Sequence, residues 1–288
     1  MFLLSTTKNA ESAGWFQQIK EVIDAYQPDQ IWFDFDIRVI DDKMKNKFAT
    51  YYYSKEKEWG KELIITRKFE LLPKGVGVLD IERGNLGEAN EELWQTDDAI
   101  AVNSWCWVQN IQLKPTEELV HNLIDIVSKN GVLLLNPCPK ADGTIPEDQQ
   151  EILLEIGHFL KVNGEAIYST RPFRTYGEGP NLVSTGRGKN SDSAANKFAV
   201  QFGCDDIRYT RSKDGKTIYA IALGWPEDTL TLRALDKEVE DGAIKKISLL
   251  GSRSKVKWSE DGAQLNINTA GAKSPVDQYA YVWKIELK

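Results

Sequence analysis

Apolar runs and helix-spaced patterns alternate through the first half of the chain, and they predict strands over 30–35, 63–67, 77–82, 99–105 and 131–137. A near-continuous apolar run such as Ile31-Trp32-Phe33 marks a strand covered on both faces, as in a parallel sheet. Between the strands, Phe16, Ile19, Ile23 and Tyr26 recur at helical spacing, which predicts a helix over 12–26 followed by Pro28. Thr116 reads as the N-cap of a further helix, with Glu117 and Glu118 in its first turn and Asn130-Gly131 closing it. Leu119, Leu123 and Ile126 line one face of that helix. A third, over 146–162, carries Ile152, Leu153, Ile156, Phe159 and Leu160 and ends at Asn163-Gly164. Repeated strand–helix units imply an α/β architecture with a parallel sheet, open or closed into a barrel.

Past about residue 166 the helical spacing stops. Short alternating segments take over at 197–202, 206–211, 217–223, 229–234, 244–249, 264–267 and 279–287, separated by turn pairs such as Asp214-Gly215 and Asp261-Gly262. Strands of this length and spacing predict an antiparallel β-sandwich. The expected organisation is therefore an α/β part over 1–165 and an all-β part over 166–288, with a loop over 185–196 to which no chemistry is assigned.

Composition narrows the function classes. The 288 residues are 41% hydrophobic and 27% charged, with a net charge of -7. No Lys/Arg-rich block of the kind that binds nucleic acid or acidic membranes is present in the sequence, and no run of about 18 apolar residues suggests a membrane span. Met1-Phe2-Leu3-Leu4 is too short for a signal peptide and lacks its basic start. Cys106, Cys138 and Cys204 have no metal-ligand spacing and read as buried free thiols, and two histidines leave little for zinc. Nine Trp, ten Tyr and ten Phe suit sugar binding and a large core equally.

The strand Gln30-Ile31-Trp32-Phe33-Asp34 ends by presenting a carboxylate beside an aromatic pair. Catalytic groups of α/β barrels sit at such C-terminal strand ends. Asp80-Ile81-Glu82-Arg83-Gly84 ends a second strand, where alternation points Asp80 and Glu82 the same way, with Arg83 or Arg67 available as charge partners. Two carboxyls about 5–5.5 Å apart are what retaining glycoside hydrolysis needs. Solvated strand-end carboxylates are the competing reading, and the spacing alone does not choose between them.

Longer motifs add a resemblance. Ile31-Trp32-Phe33-Asp34, Leu79-Asp80-Ile81-Glu82-Arg83-Gly84, Trp94-Gln95-Thr96-Asp97-Asp98 with Asn103-Ser104-Trp105, and Lys114-Pro115-Thr116-Glu117-Glu118-Leu119 occur in that order. Ser128-Lys129-Asn130-Gly131, Leu133-Leu134-Leu135-Asn136, Pro139-Lys140-Ala141-Asp142-Gly143-Thr144-Ile145-Pro146 and Asn163-Gly164-Glu165-Ala166-Ile167-Tyr168 continue it. Together they resemble the α-L-fucosidases of glycoside hydrolase family 29. The resemblance implies a partial (β/α)8, TIM-type barrel followed by a β-sandwich. It implies a retaining exo-α-L-fucosidase that acts on terminal α-fucosides without metal or organic cofactor. It makes Asp34 the nucleophile and Glu82 the acid/base, with Glu88 and Asp80 in reserve. Trp32 would pack on the apolar side of fucose, Arg67 would bind the sugar, and Trp105 would line the leaving-group side; His121 and His158 are structural.

The five strands resemble the family's fourth to eighth, and its His- and Trp-bearing sugar motifs from earlier strands have no counterpart here. The expectation is thus of a fragment, a truncated product, or a homo-oligomer or second chain completing the barrel. A non-catalytic carbohydrate-binding protein is the alternative, and a retaining glycosidase for a related sugar a third. Compartment is left open, although family members are often periplasmic or secreted.

Overall fold

The computed structural model describes residues 10–33, 37–68, 71–73, 75–182, 201–270 and 279–288. Two compact units divide the chain: Met1–Glu82 with Glu92–Gln95, and Arg83–Glu91 with Thr96–Lys288.

The first unit contains α1 (Ala10–Tyr26), β1 (Gln30–Phe33), α2 (Asp42–Trp59), β2 (Ile64–Lys68), β3 (Val78–Glu82) and the start of β4 (Trp94–Ala99). The strands β1, β2 and β3 run parallel, with Trp32 beside Thr66 and Lys68 beside Asp80. Helix α2 has no counterpart in the apolar pattern, because its buried apolar residues form only the narrow stripe Phe48, Ala49 and Tyr52, with Lys45 buried beside them, in an otherwise polar segment. Its ends are well made. Asp41 caps the N-terminus by accepting from the Met44 amide at 2.9 Å, and Gly60 closes the other end at φ 67°. Phe48 stands edge-on to both Trp15 of α1 and Phe33 of β1, at 5.7 and 5.3 Å between ring centres. That aromatic contact fixes both helices on one face of the sheet.

In the second unit, β4 continues to Ala99 and is followed by α3 (Thr116–Ser128), β5 (Gly131–Asn136) and α4 (Glu147–Asn163). The sheet order is β1-β2-β3-β4-β5, a half-barrel ladder. The strand expected over 99–105 is displaced: the extended run is Trp94–Ala99, and beyond it only Ala101 bridges, to Leu113. Every residue of β4 is buried, including Gln95, Thr96, Asp97 and Asp98, so a central strand lies under a polar pattern. Asp98 is matched by Lys114 at 2.5 Å. Thr116 is the first residue of α3, not its cap; the cap position is Pro115, and the Thr116 hydroxyl donates to Glu155 of α4.

Among the described residues beyond 166 the unit is all-β, except for a short helix, α5 (Asp236–Glu240), which breaks the expectation that helices stop at 166. The strands β6 (Thr170–Glu178), β7 (Ile207–Ser212), β8 (Thr217–Ala222), β10 (Ile244–Leu249) and β13 (Tyr281–Leu287) form one antiparallel sheet in the order β10-β13-β8-β7-β6. Strands β11 (Lys257–Asp261), β12 (Gln264–Asn268) and β9 (Thr229–Leu232) form the other. Tyr209, Ile218, Ala220, Trp283 and Ile285 meet Leu230, Leu232, Leu265 and Ile267 in the core between them. The expected strand over 197–202 and loop over 185–196 fall wholly or largely outside the described residues.

A second cluster joins the helices to the sandwich: Val120, Ile124 and Phe159 pack with Tyr219, Ile221, Leu223 and Val282. A buried ionic knot lies beside it. Asp125 of α3 accepts from Arg208 Nε of β7 at 2.5 Å, from Lys129 Nζ at 2.8 Å and from Asn85 Nδ2 at 2.5 Å. His121 is buried, with Nε2 at 2.7 Å from the Tyr279 carbonyl, while His158 is exposed. Among the cysteines only Cys138 is buried; Cys106 is exposed, against expectation, and Cys204 is intermediate.

Candidate active site

In the first unit, three parallel strands bring their C-terminal ends together. On β1, period-2 alternation sends Phe33 into the aromatic core and leaves Trp32 on the other side, 40% exposed. The Trp32 indole Nε1–H donates to Asp80 Oδ2 at 3.0 Å. Lys68, last residue of β2, reaches the same carboxylate at 2.9 Å. Gln95, at the start of β4, donates to Asp80 Oδ1 at 3.1 Å. The Asp80 side chain is fully enclosed, a buried anion that accepts from three donors.

Glu82 differs. It is exposed, and its carboxylate lies 3.9 Å from the Lys68 ammonium. One cation therefore faces both carboxylates, as expected if residues 80 and 82 share a face of β3. The Lys68 ammonium also sits 5.3 Å from the centre of the Trp32 ring. Asp34 lies just beyond β1 and outside the described residues.

The charge partner of this pair is neither arginine suggested by the sequence. Arg67 is buried, and its Nε–H donates to the Val76 carbonyl at 3.1 Å, bracing the approach to β3. Arg83 belongs to the second unit. There its guanidinium donates to the carbonyls of Ala101, Val102 and Ser104 at 3.0, 2.9 and 2.8 Å. It also stacks 4.2 Å from the Trp105 ring. Trp105, half-buried, packs on Ala99, Ala101 and Cys138, and its carbonyl accepts from Asn136 at 2.9 Å. Glu88 is exposed in the bend that follows β3.

Lys68 and Gln95 are the site residues that pattern reading missed. Lys68 ends the strand Ile64-Ile65-Thr66-Arg67-Lys68 and is buried, and a buried lysine is rarely found unless paired. Chemically, the strand ends hold an exposed indole plate and one exposed carboxylate, both facing the Lys68 ammonium, with a second carboxylate enclosed.

Two family models match the chain: alpha-L-fucosidase over residues 4–165 and the alpha-L-fucosidase C-terminal domain over residues 202–288. Human tissue alpha-L-fucosidase is 26% identical over 262 residues, which is 88% of this chain and 50% of that protein. Human plasma alpha-L-fucosidase is 28% identical over 84% of this chain and 48% of its own length. The chain thus spans about half the length of these curated relatives. In fold it is similar to alpha-L-fucosidase isoenzyme 1 from Paenibacillus thiaminolyticus, with a TM-score of 0.72 and 22% identity over 99% of this chain and 64% of that one. It is also similar to a family 29 alpha-L-fucosidase from Bacteroides thetaiotaomicron, solved as a trapped covalent intermediate, with a TM-score of 0.69 and 17% identity over 100% and 64%. With its first 165 residues matched almost throughout and its sandwich matched as the companion domain, the chain belongs to the alpha-L-fucosidase family, glycoside hydrolase family 29.

Proposed function

We propose that this chain hydrolyses terminal α-L-fucosides with retention, through a covalent fucosyl intermediate on Asp34. The observation that carries the reading is the placement of exposed Trp32 on β1 and exposed Glu82 on β3, either side of Lys68 on β2, with Asp80 enclosed among them. Trp32 supplies an apolar plate for the sugar's methyl-bearing side. Asp34, which follows β1 in sequence, attacks the anomeric carbon as Glu82 gives its proton to the glycosidic oxygen, and the bond to the aglycone breaks. Glu82, now a carboxylate, takes a proton from water, whose oxygen attacks the same carbon and frees Asp34. One water is consumed, and both carboxyls return to their starting state. Arg67 and Trp105 keep their proposed sugar and leaving-group roles on the family pattern alone. The covalent intermediate trapped in the Bacteroides fucosidase supports the same route. The proposed boundary between catalytic part and sandwich falls at 165/166, between the two family matches.

The test is turnover of p-nitrophenyl α-L-fucoside by the purified chain, with native mass recorded. Asp34→Asn should abolish turnover. Glu82→Ala should lower it by about 10²–10⁴-fold, with azide restoring part of the rate. Activity seen only in an assembly would support completion of the site by a partner chain. Fucose binding without turnover, unchanged in Asp34→Asn, would overturn the catalytic reading in favour of a carbohydrate-binding protein.

A further inference from the structure

Asp80 is a reserve acid/base on the family pattern, and its geometry argues for another role. A proton donor must touch the glycosidic oxygen, yet the Asp80 side chain has no accessible surface. Its two oxygens are engaged by Trp32, Lys68 and Gln95, which come from β1, β2 and β4. Two of these contacts act on the same ring. The Asp80 carboxylate holds the indole N–H at 3.0 Å, and the Lys68 ammonium stands 5.3 Å from the ring centre. An exposed tryptophan would otherwise sample several rotamers, and freezing such a side chain on binding weakens affinity. A charge-assisted hydrogen bond at the edge of the ring and a cation beside it remove that freedom beforehand.

We infer that Asp80, with Lys68, is a positioning residue that presets the Trp32 indole as the sugar platform. The inference rests on the fucoside reading of the site and adds a role for a carboxylate that takes no part in proton transfer. Gln95 completes the arrangement by holding the other oxygen, so the carboxylate plane cannot turn away from the indole. The expected signature is a loss of sugar affinity rather than of chemistry, because the platform binds substrate and transition state alike.

The experiment is a cycle on the full chain, with L-fucose binding read by calorimetry and kcat and KM by p-nitrophenyl α-L-fucoside. Asp80→Asn keeps the shape but places an amide N–H where acceptors are required. It should raise the fucose Kd and KM by about tenfold, with kcat changed less than about threefold. Trp32→Phe keeps a ring and removes its N–H. In that background Asp80→Asn should add less than about twofold, since its effect passes through the indole. The indole N–H resonance that disappears in Trp32→Phe should shift in Asp80→Asn. Should Asp80→Asn unfold the chain, Asp80→Asn with Lys68→Met removes both charges together and is read in the same cycle. An equal loss in both backgrounds, or a kcat fall above about a hundredfold at constant KM, would overturn the inference. If Trp32→Ala binds fucose as tightly as the unaltered chain, or the unaltered chain does not bind it, the sugar-platform reading itself falls. If Trp32→Ala weakens binding while Asp80→Asn does not, the positioning role alone falls.

Discussion

Replacing Asp125 by asparagine removes the single negative charge from the knot it forms with Lys129 and Arg208. All three side chains are essentially inaccessible, at 1%, 0% and 0% exposure. The substitution takes from two buried cations the carboxylate that pairs them both, a change that costs about 3–5 kcal/mol in comparable sites. Asn85 also exchanges a charge-assisted hydrogen bond for a neutral one, which adds about 1 kcal/mol. A total of about 4–6 kcal/mol is a large share of the roughly 5–15 kcal/mol that holds a domain together. For a unit of about 200 residues it lowers the melting midpoint by about 8–24 °C. Burial already pulls Lys129 below the usual lysine pKa, and Asp125 is the main group that props it up. In the variant the unfolded chain holds that proton more tightly than the fold does, so part of the loss returns as pH rises toward about 10. Calorimetric melts at pH 7 and 9.5 test both statements. Replacing the trio together by Leu, Met and Met should destabilise less than Asp125→Asn alone. A loss under about 1 kcal/mol in the single variant, or a triple variant weaker than the single one, would refute a stabilising role for the Asp125 charge.

Two further outcomes follow from the same kind of accounting. Burial holds the His121 pKa below its ordinary 6.5, against opposing contributions from the Tyr279 carbonyl, Glu117 and Asp206; the unfolded chain therefore takes up a proton first, and stability should fall as pH drops below about 6.5 until the lowered folded value is reached. Urea midpoints across pH 7.5 to 5 should show this slope, and His121→Gln should flatten it. Gly77 sits at φ 76°, where an added Cβ would lie 2.8 Å from the Ile65 carbonyl oxygen, so Gly77→Ala forces β3 from β2 and should cost about 2 kcal/mol or more in urea unfolding.

Strands that carry an apolar run or an alternation in sequence were readable: β2, β3, β5 and most sandwich strands lie within a residue or two of their expected positions. Strands without such a run were not. Strand β4 hides Gln95, Thr96, Asp97 and Asp98, and no alternation announces a strand whose polar groups are matched only after folding. Strand β6 escaped because Pro172 and Gly177 interrupt it; proline is tolerated at the sheet edge where β6 lies, and a register shift falls between the two. The site divides in the same way. Trp32 and Glu82 could be picked out as strand-end groups, whereas Lys68 could not, since its meaning depends on a register that sets it beside Asp80. The Asp125–Lys129 spacing of four is visible on α3, but Arg208 arrives from far along the chain.

The apolar cluster that joins Val120, Ile124 and Phe159 to Tyr219, Ile221 and Val282 bears on how such proteins could be recombined. A cut at 165/166 would sever that cluster through its middle and strand Arg208 from Asp125. The sandwich is therefore not a cassette that can be traded between relatives by splicing at the family boundary. A chimera that keeps its solubility would have to carry the inward faces of α3 and α4 along with the strands they cover, so inheritance of the C-terminal part is tied to the two helices before it.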